Sequence, residues 1–357
     1  MTRKKALITG GCGFIGHHLV EHLMKNEDYD IIILDKLNYS CDGTYRLNEL
    51  LRLNPEWKDR IELITWDLTS PISHGVRKLA KDINLIIHMA AETHVDNSIV
   101  DPMSFVMSNV VGTANILDLA REIMGIPNNS FEKFVLFSTD EVFGPASTTE
   151  IPPESVDNAI RQDFWTYREW DRYNATNPYS ATKAASEQLV LAYMNTYGIP
   201  GFIVRCMNVF GERQHPEKYI PLCIRKILVG ETIHIHGNAA RTAAGSRFYI
   251  HARNVSAAIV FLLAHAEQRE VYNIVGEREV DNLTLAQMIH SYIPNKQLNY
   301  EIVDFHSSRP GHDLRYSMDG TKMFSIGWRL PKTFEESLQK TVLWYLDNLE
   351  FLFTKKG

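Results

Sequence analysis

The chain has 357 residues, 45% of them hydrophobic and 22% charged, which is typical of a globular protein with a sizeable core. Its formal net charge of −6 gives no reason to expect nucleic acid as a partner. No apolar run approaches the ~20 residues of a membrane span, and the four cysteines are sparse and show no Cys-x-x-Cys spacing. We therefore expect a cytoplasmic protein without a membrane partner.

The N-terminal residues combine a short apolar strand with a glycine-rich turn. Ala6-Leu7-Ile8-Thr9 precedes Gly10-Gly11-Cys12-Gly13-Phe14-Ile15-Gly16, which opens an amphipathic helix. Glycines here let the backbone approach a pyrophosphate, whose charge then lies at the helix N-terminus. The next strand, 31–34, ends in Asp35, which is expected to accept hydrogen bonds from the adenosine ribose and to favour NAD over NADP. Lys36 beside it leaves a small chance of NADP.

Two further apolar strands, 61–64 and 85–88, are each followed by residues suited to the cofactor. After the first of these strands, Asp67, which Leu68 follows, can reach the adenine, although a turn or a helix N-cap explains this aspartate nearly as well. After the second strand, the small residues Ala90 and Ala91 let the backbone pass closely along a cofactor.

Histidines raise the question of a metal site. His88 and His94 do not form a metal-ligand pattern, and His234 and His236 are better explained by alternation on a strand, so we expect no metal. Asp101-Pro102 predicts the start of a long helix to about residue 124, with Asn109 facing the sheet.

The stretch Phe137-Ser138-Thr139-Asp140-Glu141-Val142-Phe143-Gly144 follows an apolar run, 134–136, that predicts a buried parallel strand. Ligands of open α/β sheets bind at the carboxyl ends of the strands. Thr139 can hold a substrate alcohol there, and Asp140 with Glu141 supplies an acid and a base. The connection over 145–177 is long, which is typical of a lid or an insertion.

Tyr179 and Lys183 lie one turn apart on a helix that begins at Asn177-Pro178. A nearby ammonium favours phenolate over phenol, so Lys183 is expected to lower the pKa of Tyr179. Beside NAD⁺, such a phenolate removes an alcohol proton while the carbinol hydride leaves, and Lys183 can hydrogen-bond the nicotinamide ribose. Tyr-x-x-x-Lys pairs are common on surfaces, so this pair is informative mainly together with Thr139.

The strict strand–helix alternation fades after the strand 201–205. We therefore expect an α/β fold with a Rossmann-type doubly wound parallel sheet over 1–205, which binds NAD. A smaller lobe, mainly 206–357, is expected to bind the substrate, and the chain can cross back from it to the sheet. Arginines in this lobe suit a pyrophosphate, because guanidinium groups match phosphate oxygens.

Several segments resemble the extended short-chain dehydrogenase/reductase superfamily and, within it, the nucleoside-diphosphate-glucose 4,6-dehydratases, especially those acting on dTDP-glucose. The superfamily resemblance lies in the glycine turn 9–16 and in Tyr179-Ser180-Ala181-Thr182-Lys183. The narrower resemblance lies in His88-Met89-Ala90-Ala91-Glu92-Thr93-His94-Val95-Asp96, Ser138-Thr139-Asp140-Glu141-Val142-Phe143-Gly144, Pro216-Glu217-Lys218-Tyr219-Ile220-Pro221-Leu222 and Arg309-Pro310-Gly311-His312-Asp313-Leu314-Arg315-Tyr316. It extends along nearly the whole chain, and the Thr-Asp-Glu triplet is its most specific part.

The resemblance implies an NAD-dependent hydro-lyase. Tyr179 would deprotonate the C4 hydroxyl as hydride passes to NAD⁺, Glu141 would remove the C5 proton, and Asp140 would protonate the departing C6 hydroxyl. Hydride return to C6 would give the 4-keto-6-deoxy sugar nucleotide. The cofactor would contact Gly10, Gly13, Phe14, Ile15, Gly16, Asp35, Lys36, Asn38, Asp67, Leu68, Ala90, Ala91, Asn109, Tyr179 and Lys183. The sugar nucleotide would contact His94, Asn208, Glu217, Lys218, Arg247, Asn282, Arg309, His312 and Tyr316.

The sequence departs from the dTDP-glucose pattern mainly around the nucleotide end. The usual Arg-Asp-Trp becomes Arg247-Phe248-Tyr249, and the segment 237–246 before it is about four residues longer than usual. Residues 158–177 differ, Asn97 stands where an arginine is common, and Met207 and Val209 flank Asn208 in place of serine and asparagine. None of these residues has a role in the proposed proton or hydride steps, so the choice between dTDP and UDP stays open.

Two other functions also stay open. A sugar-nucleotide epimerase or a uronate decarboxylase shares the fold, but such relatives do not usually carry both carboxylates after Thr139. A non-catalytic NAD-binding regulator needs no base, and the intact Tyr179 and Lys183 argue against it.

A homodimer is expected, because the helices near 102–124 and 179–197 carry apolar residues beyond one sheet-facing stripe. Relatives pair these helices into a four-helix bundle. Packing under the connection 145–177 is the alternative explanation of the same residues.

Overall fold

The structure is a computed structural model, which describes residues 3–38, 43–146, 166–304 and 315–353. The strands, numbered along the chain, are β1 (Lys4–Thr9), β2 (Tyr29–Asp35), β3 (Ile61–Thr65), β4 (Leu85–His88), β5 (Lys133–Thr139), β6 (Gly201–Cys206), β7 (Asn208–Phe210), β8 (Ile233–Gly237), β9 (Ser246–His251), β10 (Val271–Ile274), β11 (Glu279–Asp281) and β12 (Tyr300–Asp304).

The helices are α1 (Phe14–Asn26), α2 (Tyr45–Leu53), α3 (His74–Leu79), α4 (Val95–Val100), α5 (Pro102–Phe105), α6 (Gly112–Met124), α7 (Pro178–Tyr197), α8 (Tyr219–Val229), α9 (Ala252–His265), α10 (Asn282–Ser291), α11 (Thr321–Ser325), α12 (Phe334–Asp347) and α13 (Leu349–Phe353). Short 3-10 turns cover Pro55–Arg60 and Asp140–Phe143, and a π-helical segment, Val106–Val111, joins α5 to α6.

The described chain forms two compact units. The first contains Met1–Val142, Asn177–Cys206 and Val255–Tyr272, and the second contains Phe143–Thr176, Met207–Asn254 and Asn273–Gly357.

A seven-stranded sheet of order β10-β6-β5-β4-β1-β2-β3 organises the first unit. The pairs among β1 to β6 are parallel, and Thr9 at the end of β1 lies in register with His88 at the end of β4. The strand order runs outward in both directions from β1 and β4, so the topological switch point lies between them. This confirms the predicted α/β class with a doubly wound parallel sheet.

Apolar side chains on both faces of this sheet form the core of the first unit. Leu7 and Ile8, neighbours on β1 whose side chains point to opposite faces of the sheet, are both fully buried, as expected for parallel strands covered by helices on both sides. Ile116 and Leu117 of α6 and Val190 of α7 pack into the same cluster as Leu7.

One helix is unusually apolar. The continuous helical stretch Pro102–Met124 is, by length and composition, long and apolar enough to cross a membrane, a test that a core helix also passes. Polar residues such as Ser108 and Asn109 interrupt its apolar runs. Its buried side chains, such as Ile116 and Ala120, belong to the core of the first unit, as is usual for a core helix.

The second unit contains two small sheets, of order β11-β9-β7 and β12-β8. Helices α8, α10 and α12 supply much of its apolar cluster, which includes Ile224, Leu285 and Leu338. On β8 the apolar residues are buried, whereas His234 and His236 are not, and this confirms the predicted alternation.

The chain does not divide into its two units at a single boundary near residue 205, which was the predicted one. Residues 143–176 belong to the second unit and 255–272 to the first. Residues 255–272 belong to the first unit because β10 pairs with β6 at the edge of the large sheet, and α9 leads into β10. Which unit binds NAD and which binds the sugar nucleotide stays a prediction at this point.

Candidate active site

The backbone of the glycine turn between β1 and α1 leaves no room for side chains at Gly10 and Gly16. Gly10 has φ +73°, and a Cβ there would lie 2.9 Å from both Cα and N of Ala90. A Cβ at Gly16 would lie 2.1 Å from the Gly10 carbonyl oxygen, which also accepts a hydrogen bond from Gly13 N at 3.0 Å. The turn thus brings β1, α1 and the segment after β4 close together, with the N-terminus of α1 at the carboxyl end of the sheet. Such a site fits a dinucleotide pyrophosphate.

Asp35 ties this turn to β2. Its carboxylate accepts the backbone N–H of Cys12 at 3.0 Å and that of Leu37 at 2.9 Å. Burial raises the pKa of Asp35, while these two backbone hydrogen bonds act in the opposite direction. Asp35 therefore shapes the turn as well as standing at the predicted ribose position.

Lys36 and Asn38 both contact Glu92, which the sequence analysis did not single out. The Lys36 Nζ lies 2.5 Å from Glu92 Oε1, and the Asn38 Nδ2 donates to the same oxygen at 3.1 Å. Glu92 thereby neutralises the cation that stands next to Asp35. No sequence spacing links Glu92 to Lys36, because β1 lies between the two strands after which these residues stand.

Asp67 and Leu68 make contacts that stabilise the local structure after β3. Asp67 Oδ1 accepts the Thr69 N–H at 2.9 Å, which is the turn arrangement weighed as the alternative to an adenine contact. The Leu68 side chain belongs to the core of the first unit, and its carbonyl accepts from Asn115 Nδ2 at 2.7 Å. Adenine contacts by these residues stay a prediction.

Asn109 positions the segment that passes the glycine turn. It is buried in the π-helical segment, and its side-chain amide pairs with both backbone groups of Glu92, at 2.8 and 3.0 Å. The Nδ2 also donates to Thr182 Oγ1 of α7 at 3.0 Å. Asn109 therefore fixes the Ala90–Glu92 segment relative to α7, and its predicted cofactor contact stays a prediction.

His88 is held between two hydroxyl groups. Its Nδ1 lies 2.7 Å from Thr9 Oγ1 and its Nε2 lies 3.0 Å from Thr113 Oγ1. Complete burial, with the charge of Lys183 as a smaller cause, lowers the pKa of His88 to about 3, so the ring is neutral at neutral pH. His94, a predicted substrate contact, is the residue before α4 and is partly exposed.

The Thr-Asp-Glu triplet stands at the end of β5, as predicted. Thr139 is the last strand residue, and Asp140 and Glu141 begin the 3-10 turn that follows. The Thr139 hydroxyl donates to Asp140 Oδ1 at 3.0 Å and accepts the Glu141 N–H at 3.3 Å. One hydroxyl thus orients both acidic residues.

Helix α7 brings Tyr179 and Lys183 to this triplet. The helix begins with a reciprocal capping box between Asn177 and Ser180, which fixes its first turn. Lys183 Nζ donates to the Phe137 carbonyl of β5 at 2.7 Å, and a side-chain hydrogen bond joins Tyr179 to Thr139. The five predicted catalytic residues, Thr139, Asp140, Glu141, Tyr179 and Lys183, therefore form one cluster in the first unit.

The predicted effect of Lys183 on Tyr179 is wrong for this structure. Burial raises the pKa of Tyr179, the Glu141 carboxylate raises it further, and the hydrogen bond with Thr139 only partly opposes them. Burial also lowers the pKa of Lys183 to about 8. The helix spacing showed that the two groups are neighbours, but it did not show how deeply the cluster is buried.

The second unit contains most of the predicted substrate contacts. Asn208 is exposed on β7, and Glu217 and Lys218 precede α8, with Glu217 Oε1 4.0 Å from Lys218 Nζ. The predicted contacts Arg309 and His312 lie outside the described residues.

Three other predicted contacts lie on or near β9. The Arg247 guanidinium carbon lies 4.5 Å from the centre of the Tyr316 ring, a cation–π contact. Asn282 accepts two phenolic hydrogen bonds, from Tyr249 to its side-chain oxygen at 2.7 Å and from Tyr219 to its carbonyl at 2.6 Å. The sequence analysis did not predict these two tyrosines as the supports of Asn282.

A doubly wound sheet, a glycine turn at its switch point and a buried Tyr-x-x-x-Lys pair define an extended short-chain dehydrogenase/reductase. More narrowly, the chain belongs to the GDP-mannose 4,6-dehydratase family, whose sequence profile matches residues 7–341.

Relatives across the whole chain agree with this membership. The dTDP-glucose 4,6-dehydratase of Salmonella typhimurium is 33% identical over 364 residues, which cover 99% of this chain and 96% of that protein. A trifunctional UDP-glucose 4,6-dehydratase of Arabidopsis thaliana is 34% identical over 98% of this chain and 48% of its own. The structure is similar to that of a dTDP-glucose 4,6-dehydratase from Streptomyces venezuelae with NAD and TYD bound, with a TM-score of 0.82, 30% identity and coverage of 99% and 100% of the two chains. The UDP-glucose 4-epimerase of Thermotoga maritima, at 22% identity and a TM-score of 0.78 over 97% and 100% of the chains, shares the fold.

Proposed function

We propose that this protein is an NAD-dependent sugar-nucleotide 4,6-dehydratase, which converts dTDP-glucose or UDP-glucose to the 4-keto-6-deoxy sugar nucleotide. The observation that carries the proposal is the cluster of Thr139, Asp140 and Glu141 with Tyr179 and Lys183 at one sheet edge. The full-length relatives named above as dTDP-glucose 4,6-dehydratases support the same reaction.

NAD is the proposed cofactor of the first unit. The glycine turn at Gly10, Gly13 and Gly16 would hold its pyrophosphate, Asp35 its adenosine ribose and Lys183 its nicotinamide ribose. When bound, NAD supplies a hydride acceptor for C4 of the sugar and a hydride donor for C6.

Tyr179 is the proposed base for the C4 hydroxyl, and Thr139 would hold the same hydroxyl by a hydrogen bond. Burial and the charges of Glu141 and Asp140 oppose the phenolate in this structure. A protonated Asp140, the form that the elimination needs, removes one of these opposing charges. The acid role of Asp140 and the base role of Tyr179 therefore support each other.

The two carboxyl groups perform the elimination. The C4 ketone acidifies C5, so Glu141 can remove the C5 proton, while Asp140 gives its proton to the C6 oxygen, which leaves as water. Glu141 then returns its proton to C5 as C6 is reduced. A hydroxyl that orients both groups, as the Thr139 hydroxyl does, suits this paired proton transfer.

The second unit is proposed to bind the nucleotide diphosphate. Arg247, in cation–π contact with Tyr316, offers a guanidinium to phosphate oxygens, and Lys218 at the start of α8 offers a second cation. Asn282, with its oxygen atoms engaged by Tyr219 and Tyr249, has its side-chain N–H groups to donate. Asn208 and Glu217, with His94 of the first unit, complete the proposed set, together with Arg309 and His312.

An assay with dTDP-glucose and UDP-glucose tests this function. We expect a 4-keto-6-deoxy product from at least one of them, without added oxidant, since the hydride returns within each turnover. An epimerase would instead give the C4 epimer with its C6 hydroxyl retained, and a non-catalytic protein would give neither product. Discrimination between the two nucleotides should be modest, because a thymine methyl contributes only ~1–3 kcal/mol. A preference of several thousandfold would contradict that expectation.

We further propose a cytoplasmic homodimer that pairs the helices near 102–124 and 179–197. Met103 and Met107 of the first helix are exposed, at 61% and 40%, as are Ile99 and Val100 of the preceding α4, at 43% and 86%. Large apolar side chains at this exposure favour burial against a second copy. Light scattering at micromolar concentration should return the mass of a dimer, and Val100→Glu with Met103→Glu should return a monomer; a monomeric parent protein would contradict the proposal.

A further inference from the structure

Helix α7 has a third polar residue on the stripe that carries Tyr179 and Lys183. Glu187 follows Lys183 by four residues and therefore lies on the same face of the helix. Tyr179, Lys183 and Glu187 each bond to one of the last three residues of β5. Tyr179 bonds to the Thr139 side chain, Lys183 to the Phe137 carbonyl and Glu187 to the Ser138 hydroxyl.

Glu187 lies in a fully enclosed polar group. The Ser138 hydroxyl donates to its Oε1 at 2.5 Å, and Arg205 of β6 donates to both carboxylate oxygens, with the shortest contact at 2.7 Å. Glu187 and Arg205 are 0% and 1% exposed, so this pair is shielded from water and salt. A buried ion pair is a weak source of stability, because desolvation of both charges offsets their attraction. The buried Glu187–Arg205 pair beside the reacting groups is therefore expected to have a role other than stabilising the fold.

The charge of Glu187 also acts on Lys183. Burial lowers the pKa of Lys183 to about 8, and the Glu187 carboxylate opposes this. Among the described residues, the charge of Lys183 also acts on His88 of β4, which is neutral, and Arg205 of β6 donates to both oxygens of Glu187. Glu187 is therefore the buried carboxylate on this helix face that favours the ammonium form of Lys183.

We propose that Glu187 is a positioning residue for the reaction, which holds the end of β5 through Ser138 and places a buried carboxylate one helical turn from Lys183. This inference rests on the proposed function for its catalytic consequence, but not for its effect on Lys183. A merely structural Glu187 would hold β5 and β6 together and leave the protonation of Lys183 unchanged.

The test compares the titration of Lys183 with the pH dependence of turnover. Lysine labelled with ¹³C at Cε is incorporated, the Lys183 resonance is assigned by its loss in Lys183→Arg, and its midpoint is measured without substrate. Glu187→Gln keeps the shape and removes the charge, so the midpoint should fall by about one pH unit or more. The alkaline limb of kcat/KM should move to lower pH by the same amount.

Ser138→Ala is the matched control. It removes the hydroxyl contact and leaves the Glu187 charge, so the Lys183 midpoint should stay, while kcat falls by up to ~10²-fold because the end of β5 is less well held. Glu187→Asp should keep the midpoint near that of the parent protein. Since Glu187→Gln leaves Arg205 unpaired, the double variant Glu187→Gln/Arg205→Gln removes both buried charges. Because a nearby arginine disfavours an ammonium, the Lys183 midpoint should fall less in the double variant than in Glu187→Gln.

An unchanged Lys183 midpoint in both neutral variants, or an equal fall in Ser138→Ala, would overturn the proposal. Because the titration needs no substrate, it gives its answer even if the parent protein forms no 4-keto product. Failure of the proposed function and failure of this inference are therefore distinguishable.

Discussion

The Lys36 ammonium lies 2.5 Å from the Glu92 carboxylate, and this ion pair joins the segment after β2 to the segment after β4. Both segments leave the sheet beside the glycine turn, on either side of β1. A lysine next to Asp35 would otherwise present a cation to the 2′-phosphate of NADP. Glu92 is therefore expected to strengthen the preference for NAD that is proposed for Asp35.

Glu92→Gln is expected to improve NADP binding. The two side chains are 31% and 18% exposed, so the pair is partly screened and the change should be small, about 2–5-fold in Kd, in line with ~0.2–1 kcal/mol for such pairs. Fluorescence titration with NADPH and NADH measures it. Glu132→Gln, which breaks the pair with Lys4 at the amino end of the sheet, is the control and should change neither affinity. Equal NADPH affinity in Glu92→Gln and the parent would contradict this account.

The pKa of Tyr179 gives a second prediction. Deprotonation of Tyr179 makes the first step faster as pH rises, and the charges of Glu141 and Asp140 raise that pKa, Glu141 more than Asp140. Removing the Glu141 charge should lower the pKa, so the acid limb of NADH formation moves to lower pH in Glu141→Gln. The shift should be smaller in Asp140→Asn, because the proposed catalytic form of Asp140 is protonated and carries no charge.

Stopped-flow absorbance of the first turnover, measured from pH 5 to 9, gives the two midpoints. An acid limb that stays in place in both variants, or moves to higher pH, would show that the carboxylates do not control the phenol.

His88 predicts how stability depends on pH. Its pKa is about 3 in the folded protein, against ~6.5 in an unfolded chain, so below pH 6.5 only the unfolded state takes up the proton. The stabilising contribution is complete above pH 6.5 and is lost as pH falls towards 3, by up to ~1.4 kcal/mol per pH unit.

The free energy of unfolding, measured with urea, should therefore be lower at pH 5 than at pH 6.5 in the parent protein. In His88→Asn this decrease should be ~2 kcal/mol smaller than in the parent. His265→Asn, at an exposed helix end, should keep the parental pH dependence. The same loss in His88→Asn and the parent would contradict the assignment of a buried neutral His88.

Much of the site could be predicted because strand ends and helix periods are local properties of sequence. The apolar run before Thr139 predicted a buried strand, and the spacing of Tyr179 and Lys183 predicted a common helix face. In a parallel sheet these two predictions together place the residues in one cluster. The glycine turn was predictable for the same reason, since its close approach to Ala90 leaves no room for a side chain at Gly10.

What could not be predicted depends on burial and on contacts between distant segments. The sign of the Tyr179 pKa change follows from desolvation and from Glu141, which no spacing rule reports. Asn109 lies on the predicted side of its helix, but its hydrogen bonds to Glu92 and Thr182 depend on three separate segments. The ion pair of Lys36 with Glu92 likewise joins residues 56 positions apart in the chain.

Oxidation at C4 and elimination of water are assigned to different residues of one cluster. Glu141→Gln removes the proposed C5 base at nearly constant volume, which typically costs ~10²–10⁴-fold in the proton-transfer step. Mixed with dTDP-glucose or UDP-glucose, this variant should show a rise in absorbance of bound NADH that persists, with little 4-keto-6-deoxy product, whereas Tyr179→Phe should show no rise. Turnover of Glu141→Gln at the parental rate, without accumulation of NADH, would contradict the assignment.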